Sequence, residues 1–313
     1  MLASLIPVLL CIALGWFIAR IGWVRESSIK DLSNLVFLVL TPALLFRTMG
    51  SVRLQELDFR PAALYFAAVG VLFIATMLIR GFSTRSAAEA LSCVFSNSVM
   101  IGIPIISFVF GESALIVLFT LISLHSLVLL TAATLVFELA DARDARAREN
   151  AVVVPLWRTV LQAARKSIIH PVPLPILVGL LFAQTGLSLP SGIDKGLQMV
   201  GSALGPMALL LVGISLAYTH VGRNARTAVS IALAKNLVLP ALVLLLSPLF
   251  GVSGLALAVM FVIAAMPVGA KVFYFTQRYG VMQQEVSASI AASTLLALLS
   301  LPLAIWIAHW IQT

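Results

Sequence analysis

Residues 7–22 read PVLLCIALGWFIARIG, and residues 171–186 repeat this stretch in altered form as PVPLPILVGLLFAQTG. The two stretches align without gaps, and 7 of the 16 positions are identical, among them one proline and two glycines. They lie 164 residues apart. The match indicates an internal duplication. The alternative explanation is that both halves of the chain simply share a composition rich in Leu, Gly and Pro.

Prolines further along the chain keep nearly the same spacing. An offset of 164 residues pairs Pro42 with Pro206, and an offset of 163 pairs Pro104 with Pro267, as a one-residue change in a loop would allow. Each copy would hold five membrane spans. Because five is an odd number, two successive copies must insert with opposite orientation. The pattern therefore predicts an inverted-topology repeat, from which many secondary transporters are built.

The composition excludes a soluble protein. Of the 313 residues, 61% are hydrophobic and 10% are charged, whereas an average soluble domain is about 25% charged. A helix needs about 20 apolar residues to cross a bilayer. Long apolar runs predict ten spans, at residues 2–20, 31–50, 61–80, 88–110, 113–137, 170–187, 195–218, 227–248, 253–276 and 286–310. We therefore predict an all-α polytopic membrane protein.

The spans define the predicted domains and their orientation. Residues 1–138 would form the first five-helix repeat, and residues 169–313 the second, inverted one. Residues 139–168 would form a cytoplasmic linker that contains an interfacial helix, with a partner-binding segment as the alternative. Most of the 20 lysines and arginines fall on the side of this linker. The positive-inside rule makes that side cytoplasmic, so both termini would lie outside, in a protein of the inner cell membrane.

Two predicted spans carry helix-breaking residues near their centres. The fourth contains SNSVMIGIP at residues 96–104, and the ninth contains AAMPVGAK at residues 264–271. Proline removes a backbone donor but suits the first turn of a new helix. We therefore expect an unwound stretch in each span, followed by a half-helix that begins at Pro104 or Pro267. Two such N-termini, each with a positive partial charge, would together favour an anion.

Polar residues near these breaks are the candidates for a site. Lys271 lies in the ninth span, yet no Asp or Glu occupies the centre of a predicted span. We expect the substrate's own carboxylate to supply the missing negative charge. The substrate-binding candidates are Ser96, Asn97, Ser98, Gly102, Pro104, Pro267, Gly269 and Lys271. The coupling or supporting candidates are Thr41, Pro42, His125, Pro206, Lys235 and Asn236.

Several of these candidates also have a purely structural interpretation. Lys271 and Lys235 could snorkel to the interface or bind a backbone carbonyl. Asn97 and His125 could link helices by hydrogen bonds, and the prolines of the second and seventh spans could be ordinary kinks. His125 could instead shuttle a proton, because it is the only group that titrates near neutrality deep in a predicted span.

Three stretches resemble the auxin efflux carrier family: SNSVMIGIP (96–104), KNLVLPALVLLL (235–246) and AAMPVGAKVFYFTQRYG (264–280). RKSIIHPVPLPILVGLL (165–181) resembles the start of the family's second half. The resemblance covers nearly the whole chain. It implies ten helices in a five-plus-five inverted repeat, crossing fourth and ninth helices and an elevator-type cycle. The fold would be similar to those of bile-acid symporters and sodium/proton antiporters.

The family includes plant auxin exporters and bacterial permeases for malonate and similar acids, and the short linker resembles the bacterial members. Asn97 and Pro104 match the family's fourth-helix crossover, and Pro267 and Gly269 match its ninth. Lys271 departs from the pattern, because family members often have a small polar residue there. The departure leaves the coupling ion and the substrate open.

The predicted function is secondary transport of a small organic anion, such as a malonate-like or auxin-like carboxylate. We expect no cofactor, metal or nucleic acid, only the anion and the lipid bilayer as partners, with a homodimer left open. A cation antiporter on the same fold would need a carboxylate at the midplane, and a membrane sensor would need a larger soluble domain. An enzyme is not expected, because no span carries a His/Glu metal motif or a nucleophile paired with a base.

Overall fold

A computed structural model describes residues 2–52, 57–146, 172–218 and 225–312. In these ranges the secondary structure is helical, apart from turns and one isolated β-bridge. The helices are α1 Leu2–Arg20, α2 Ser28–Met49, α3 Arg60–Arg80, α4 Thr84–Val94, α5 Ser98–Phe110, α6 Glu112–Leu124, α7 Leu130–Arg146, α8 Pro173–Gln184, α9 Ser191–Tyr218, α10 Ala225–Phe250, α11 Gly254–Ala264, α12 Lys271–Tyr279 and α13 Gln283–Gln312.

Five of the described helices are long and apolar enough to cross a membrane: α2, α3, α9, α10 and α13. The helices α1, α5, α6, α8 and α11 are apolar but shorter. The prediction of an all-helical, polytopic membrane protein is therefore confirmed. α7 continues to Arg146, so the first residues of the predicted linker are helical. The predicted interfacial helix lies outside the described residues.

Short π-helical turns interrupt several of these helices. Three of them end just before a proline: Val36–Leu40 before Pro42, Ser98–Gly102 before Pro104, and Ala234–Val238 before Pro240. Proline cannot donate a backbone hydrogen bond, and its ring crowds the carbonyl group of the preceding turn. A wider turn relieves that crowding within a continuous helix. In α2 the Thr41 hydroxyl donates to the Val36 carbonyl at 2.7 Å, which satisfies one of the acceptors in this turn.

The chain divides into two compact units, each built from separate stretches. Unit 1 comprises Met1–Phe59, Ser98–Ser123 and Ile169–Thr219, and unit 2 comprises Arg60–Asn97, Leu124–Ile168 and His220–Thr313. Each unit therefore combines helices from both of the repeats predicted from the sequence.

Two helix contacts within unit 1 depend on glycine. α1 packs against α9, where a Cβ atom on Gly15 would collide with the carbonyl oxygen of Leu210. α8 packs against α2, where a Cβ atom on Gly179 would lie 2.8 Å from the carbonyl oxygen of Phe46. Small residues allow membrane helices to approach this closely. The offset of 164 residues that relates Gly15 to Gly179 also relates Phe46 to Leu210, so the predicted repeat makes the two contacts equivalent.

In unit 2, α4 and α11 form the core. α4 is surrounded by α3, α7, α10, α12 and α13, and its residues are almost all buried. α11 is buried from Leu257 to Ala264. Asp144 of α7 accepts hydrogen bonds from the backbone N–H and the hydroxyl of Thr84, at 3.1 and 2.9 Å. These bonds satisfy donors at the start of α4 that have no partner within the helix.

Candidate functional site

α4 and α11 each end inside unit 2 and are followed by short non-helical segments, residues 95–97 and 265–270. We call these two stretches the paired segments. They run antiparallel to each other and form the β-bridge between Ser96 and Val268. The predicted unwound stretches therefore exist in both spans, and the structure joins them directly.

Backbone hydrogen bonds hold the paired segments together. The Asn97 N–H donates to the Pro267 carbonyl at 2.9 Å, and the Gly269 N–H donates to the Phe95 carbonyl at 2.8 Å. Unwinding a membrane helix frees backbone groups that lipid cannot satisfy. In this protein the two unwound segments satisfy one another, which explains why both helices are interrupted in the same place.

Side chains from neighbouring helices fix the bridge from both sides. The hydroxyls of Ser96 and Tyr65 lie 2.7 Å apart and share a hydrogen bond. The Val268 N–H donates to the Ser293 hydroxyl oxygen at 3.0 Å. All four residues are buried. Neither Tyr65 nor Ser293 was predicted from the sequence. Tyr65 is a polar residue in a mostly apolar helix, a signal that could have identified it, whereas Ser293 is one of several serines and threonines in α13.

Gly269 is required by the closeness of the two segments. A Cβ atom on Gly269 would lie 2.6 Å from the Phe95 ring and 3.0 Å from the Ser96 carbonyl oxygen. The Phe95 ring cannot swing aside freely, because it is buried and its centroid lies 4.8 Å from that of His125. Gly269 therefore has a steric function between the two segments, and its contribution to substrate binding stays a prediction.

The helices that follow the paired segments do not begin at the predicted prolines. α5 begins at Ser98, so Pro104 lies inside it, after a π-helical turn. α12 begins at Lys271, and Pro267 lies in the unwound segment. Helical structure resumes at Ser98, before the predicted start, but its α-helical part begins at Ile103 with Pro104 in the first turn. The prediction that a half-helix starts at Pro267 is wrong. The π-helical turn accommodates Pro104. Pro267 does not start a helix, and its carbonyl accepts a hydrogen bond from the Asn97 N–H.

The side chains of Lys271 and Asn97 have no hydrogen-bond or ion-pair partner among the described residues. Lys271 is the first residue of α12 and is partly buried. Among the described residues, its ammonium group makes no hydrogen bond and no ion pair. The start of a helix carries positive partial charge, which makes this position unfavourable for a cation. The Asn97 amide is also partly buried and has no side-chain hydrogen bond to the described residues.

Lys235 and Asn236 lie in the π-helical turn of α10 and are buried, with 0% and 1% of their surface exposed. The Lys235 ammonium donates to the carbonyl oxygens of Ala264 and Met266, at 2.6 and 2.7 Å. The Asn236 amide donates to the Ser293 carbonyl at 2.9 Å. The sequence left open whether Lys235 snorkels to the interface, binds a backbone carbonyl or has a function in coupling. The structure contains the bonds to backbone carbonyls.

The other predicted site residues belong to unit 1, except His125. These residues are Thr41, Pro42, Ser98, Gly102, Pro104 and Pro206. Within unit 1, α5 and α2 both pack against α9, the helix that contains Pro206. Pro104 is buried, whereas Pro206 is exposed. A contribution of Ser98, Gly102 and Pro104 to substrate binding stays a prediction. The coupling or supporting function of Thr41, Pro42 and Pro206 also stays a prediction.

Residues 1–305 match the family described as membrane transport protein. The chain belongs to this family. The auxin efflux carriers belong to it as well, so the family resemblance of the motifs is confirmed.

Three relatives of this membrane transport protein are named as carriers or transporters. Auxin efflux carrier component 8 of Arabidopsis thaliana is 25% identical over 242 residues, which cover 66% of each chain. The "Putative malonate transporter" of Rhizobium meliloti (strain 1021) is 23% identical over 301 residues, covering 93% of this chain and 91% of that protein. "Uncharacterized transporter YfdV" of Escherichia coli (strain K12) is 22% identical over 319 aligned positions, covering 99% and 98%.

In this membrane transport protein His125 lies in an aromatic cluster beside the paired segments. Its ring centroid is 4.8 Å from that of Phe95, 5.8 Å from Tyr65 and 6.4 Å from Phe66. His125 is 4% exposed, and its Nε2 atom has no hydrogen-bond partner among the described residues. The helix-linking hydrogen bond that the sequence suggested is therefore not made by Nε2. A role in proton transfer stays a prediction.

We expect the ring of His125 to contribute through packing and its Nε2 atom to cost stability. A His125→Phe variant should unfold at the same temperature as the wild type or at a higher one, since an unsatisfied buried polar group costs about 1–3 kcal/mol. His125→Ala should unfold at a lower temperature, because it leaves a cavity. Thermal unfolding of the purified proteins measures both. Equal destabilisation by Phe and Ala would mean that the imidazole nitrogens are required.

Proposed function

We propose that this protein is a secondary transporter of a small organic anion, a carboxylate. The observation that carries the proposal is the ammonium group of Lys271, which lies next to the paired segments without a counter-charge among the described residues. A charge at this depth is costly unless it is compensated. A carboxylate substrate supplies that compensation and explains why the protein retains an otherwise unfavourable lysine.

Asn97 directly follows the bridge residue Ser96, and we propose that its side-chain amide binds the same anion. Its backbone N–H is engaged with Pro267, so the position of the residue is fixed. Its side-chain amide is partly buried and has no partner among the described residues. An amide N–H donates well to a carboxylate oxygen, and hydrogen bonds to charged groups are stronger than neutral ones. We assign the charge interaction to Lys271 and a hydrogen bond to Asn97.

The transport cycle that we propose is elevator-type alternating access in a scaffold of ten spans, arranged as two inverted five-helix repeats. Support for the repeat comes from the equivalent contacts of Gly15 with Leu210 and of Gly179 with Phe46. An elevator needs a body that moves as a whole with its substrate. Unit 2 is compact and contains the paired segments together with Lys271. We further propose that the protein lies in the inner membrane with both termini outside.

The names of two relatives agree with a carboxylate substrate. One is named for auxin efflux and the other for malonate. Auxin carries one carboxyl group on an aromatic body, and malonate carries two carboxyl groups. The shared chemistry is a carboxylate, and we propose that class of substrate for this chain.

The test is binding and transport with a panel of mono- and dicarboxylates. A substrate should raise the unfolding temperature of the purified protein, because a ligand that binds only the folded state stabilises it with the logarithm of its concentration over the dissociation constant. Lys271→Ala and Asn97→Ala should each weaken binding by about ten- to a hundredfold, since hydrogen bonds to charged groups contribute about 1.5–3 kcal/mol. Uptake of the labelled acid into proteoliposomes should fall in parallel.

Exposed residues of the same types provide matched controls. Lys195→Ala and Asn34→Ala remove the same groups from the surface and should leave binding unchanged. If Lys271→Ala and Asn97→Ala bind and carry every responsive acid as the wild type does, the site assignment is wrong. If no carboxylate stabilises the wild type whereas an inorganic cation does, the protein is a cation transporter and the proposed substrate class is wrong.

A further inference from the structure

Lys235 is a fully buried lysine whose partners are backbone carbonyl oxygens. It is 0% exposed, and its ammonium group lies 2.6 Å from the Ala264 oxygen and 2.7 Å from the Met266 oxygen. These distances are at the short end of the range for charge-assisted hydrogen bonds. Among the described residues, no carboxylate forms a salt bridge with it. The carbonyl groups therefore provide the negative potential that holds the charge.

The two carbonyls lie where the α11 helix stops. Ala264 is the last residue of α11, and Met266 lies in the unwound segment 265–270. Carbonyls at a helix C-terminus lack intrahelical partners and carry negative partial charge. In transporters with broken helices, such carbonyls are the groups that coordinate a monovalent cation. The Lys235 ammonium group thus sits where the backbone offers a cation site.

The same turn of α10 also secures the unwound segment through its next residue. Asn236 donates to the Ser293 carbonyl at 2.9 Å, and the Ser293 hydroxyl accepts from the Val268 N–H at 3.0 Å. Val268 is the residue that bridges to Ser96. Lys235 and Asn236 therefore reach segment 265–270 at Met266 and Val268, by a direct bond and through Ser293.

We propose that Lys235 is a tethered cation: its ammonium group fills a monovalent-cation site at the C-terminal end of α11 and holds the paired segments in register. Lys235 is in this sense a positioning residue. Lys235 and the partly buried Lys271 then differ in function, because the backbone compensates Lys235 whereas Lys271 has no partner among the described residues. One consequence for transport is that carboxylate binding needs no sodium, and this consequence rests on the proposed function. The assignment of the cation site rests only on the contacts of Lys235.

When the ammonium group of Lys235 is removed, the Ala264 and Met266 carbonyls should bind a cation from solution. In thermal unfolding of the purified full-length protein, the wild type should have the same midpoint in sodium chloride as in choline chloride of equal ionic strength. Lys235→Ala should have a lower midpoint in choline chloride. Sodium or methylammonium chloride should restore part of the loss in a saturable manner, because each places a small cation between the two carbonyls.

Two further variants separate the charge from the volume of the side chain. Lys235→Met keeps the length of the chain without its charge, so it should be destabilised and should gain nothing from sodium or methylammonium. Lys195→Ala removes an exposed lysine and should respond to no cation. A purely structural contribution of the Lys235 side chain would not produce a response that depends on the cation and on the variant.

The inference is overturned if sodium stabilises the wild type over choline, if Lys235→Ala is as stable as the wild type, or if neither cation restores it. Should Lys235→Ala fail to fold in choline, solubilisation and purification in methylammonium chloride should recover folded protein, and failure to recover any would equally count against the inference. None of these measurements uses a substrate. A negative result is therefore distinguishable from a failure of the carboxylate proposal, which the acid panel tests.

Discussion

A Gly269→Ala variant is expected to lose stability and carboxylate binding together. The added Cβ atom would lie 2.6 Å from the Phe95 ring and 3.0 Å from the Ser96 carbonyl oxygen, so the paired segments must separate. Separation breaks the bonds from Gly269 to Phe95 and from Asn97 to Pro267. Each buried backbone group left without a partner costs about 1–3 kcal/mol, so we expect a total loss of several kcal/mol.

Binding should fall because the competent conformation becomes rare. The apparent affinity of a ligand decreases in proportion to the fraction of protein that can bind it. Once the separated conformation predominates, each further 1.4 kcal/mol lowers that fraction about tenfold. We therefore expect at least about a tenfold weaker response to the best acid of the panel. Thermal unfolding and proteoliposome uptake measure the two effects.

The matched control for this variant is Gly70→Ala. Gly70 lies in α3 of the same unit, and a Cβ atom there would have no neighbour within 4 Å. Because alanine is a better helix former than glycine by about 1 kcal/mol, this variant should be as stable as the wild type or more so. The Gly269→Ala and Gly70→Ala proteins should therefore differ in unfolding temperature and in uptake. If they do not differ, the close approach of the paired segments is not needed for stability or transport.

The second large effect is expected at the glycine contacts of unit 1. Gly15→Ala would push its Cβ atom into the Leu210 carbonyl, and Gly179→Ala would place one 2.8 Å from the Phe46 carbonyl. In each case the added atom meets a backbone carbonyl, which cannot rotate away as a side chain can. The helix α1 must therefore move away from α9, and α8 must move away from α2. Overpacking of this kind costs about 1–3 kcal/mol. We expect both variants to unfold at markedly lower temperatures, with the larger loss for Gly15→Ala.

Gly196→Ala serves as the control, since Gly196 lies in α9 and a Cβ atom there would have no neighbour within 4 Å. The predicted repeat makes the two destabilised positions equivalent, so both should respond in the same direction. A large loss at Gly15 with none at Gly179 would argue that the two contacts have different roles. It would also weaken the proposal of an inverted repeat.

The sequence predicted where the two helices are interrupted but not where helical structure resumes. Proline was taken as the start of each second half-helix, since proline suits the first turn. In the structure Pro104 follows a π-helical turn inside α5, and Pro267 accepts a hydrogen bond from Asn97. Neither outcome is visible in local sequence, because the first depends on how a helix absorbs a proline and the second on a partner 170 residues away.

The partners of Lys235 and Lys271 also could not be predicted from local sequence. The sequence identified Lys235 and Lys271 as charges within apolar segments and left their partners open. Only the structure distinguishes them, since Lys235 reaches the carbonyls of Ala264 and Met266 while Lys271 meets no acceptor among the described residues. Distances of a few ångströms between distant parts of the chain decide which charge is compensated and which is available to a ligand.

The similar stretches at residues 7–22 and 171–186 already indicated much about this protein. Hydropathy is a local property, so the sequence alone established that the chain is helical and lies in a membrane. The spacing of glycines and prolines also indicated which helices correspond to one another. Tertiary structure decided what these glycines contact: Gly15 lies against Leu210, and Gly179 lies against Phe46. A contact between helices depends on the approach of two backbones, and that distance is set by the packing of the whole unit rather than by the residues of either stretch.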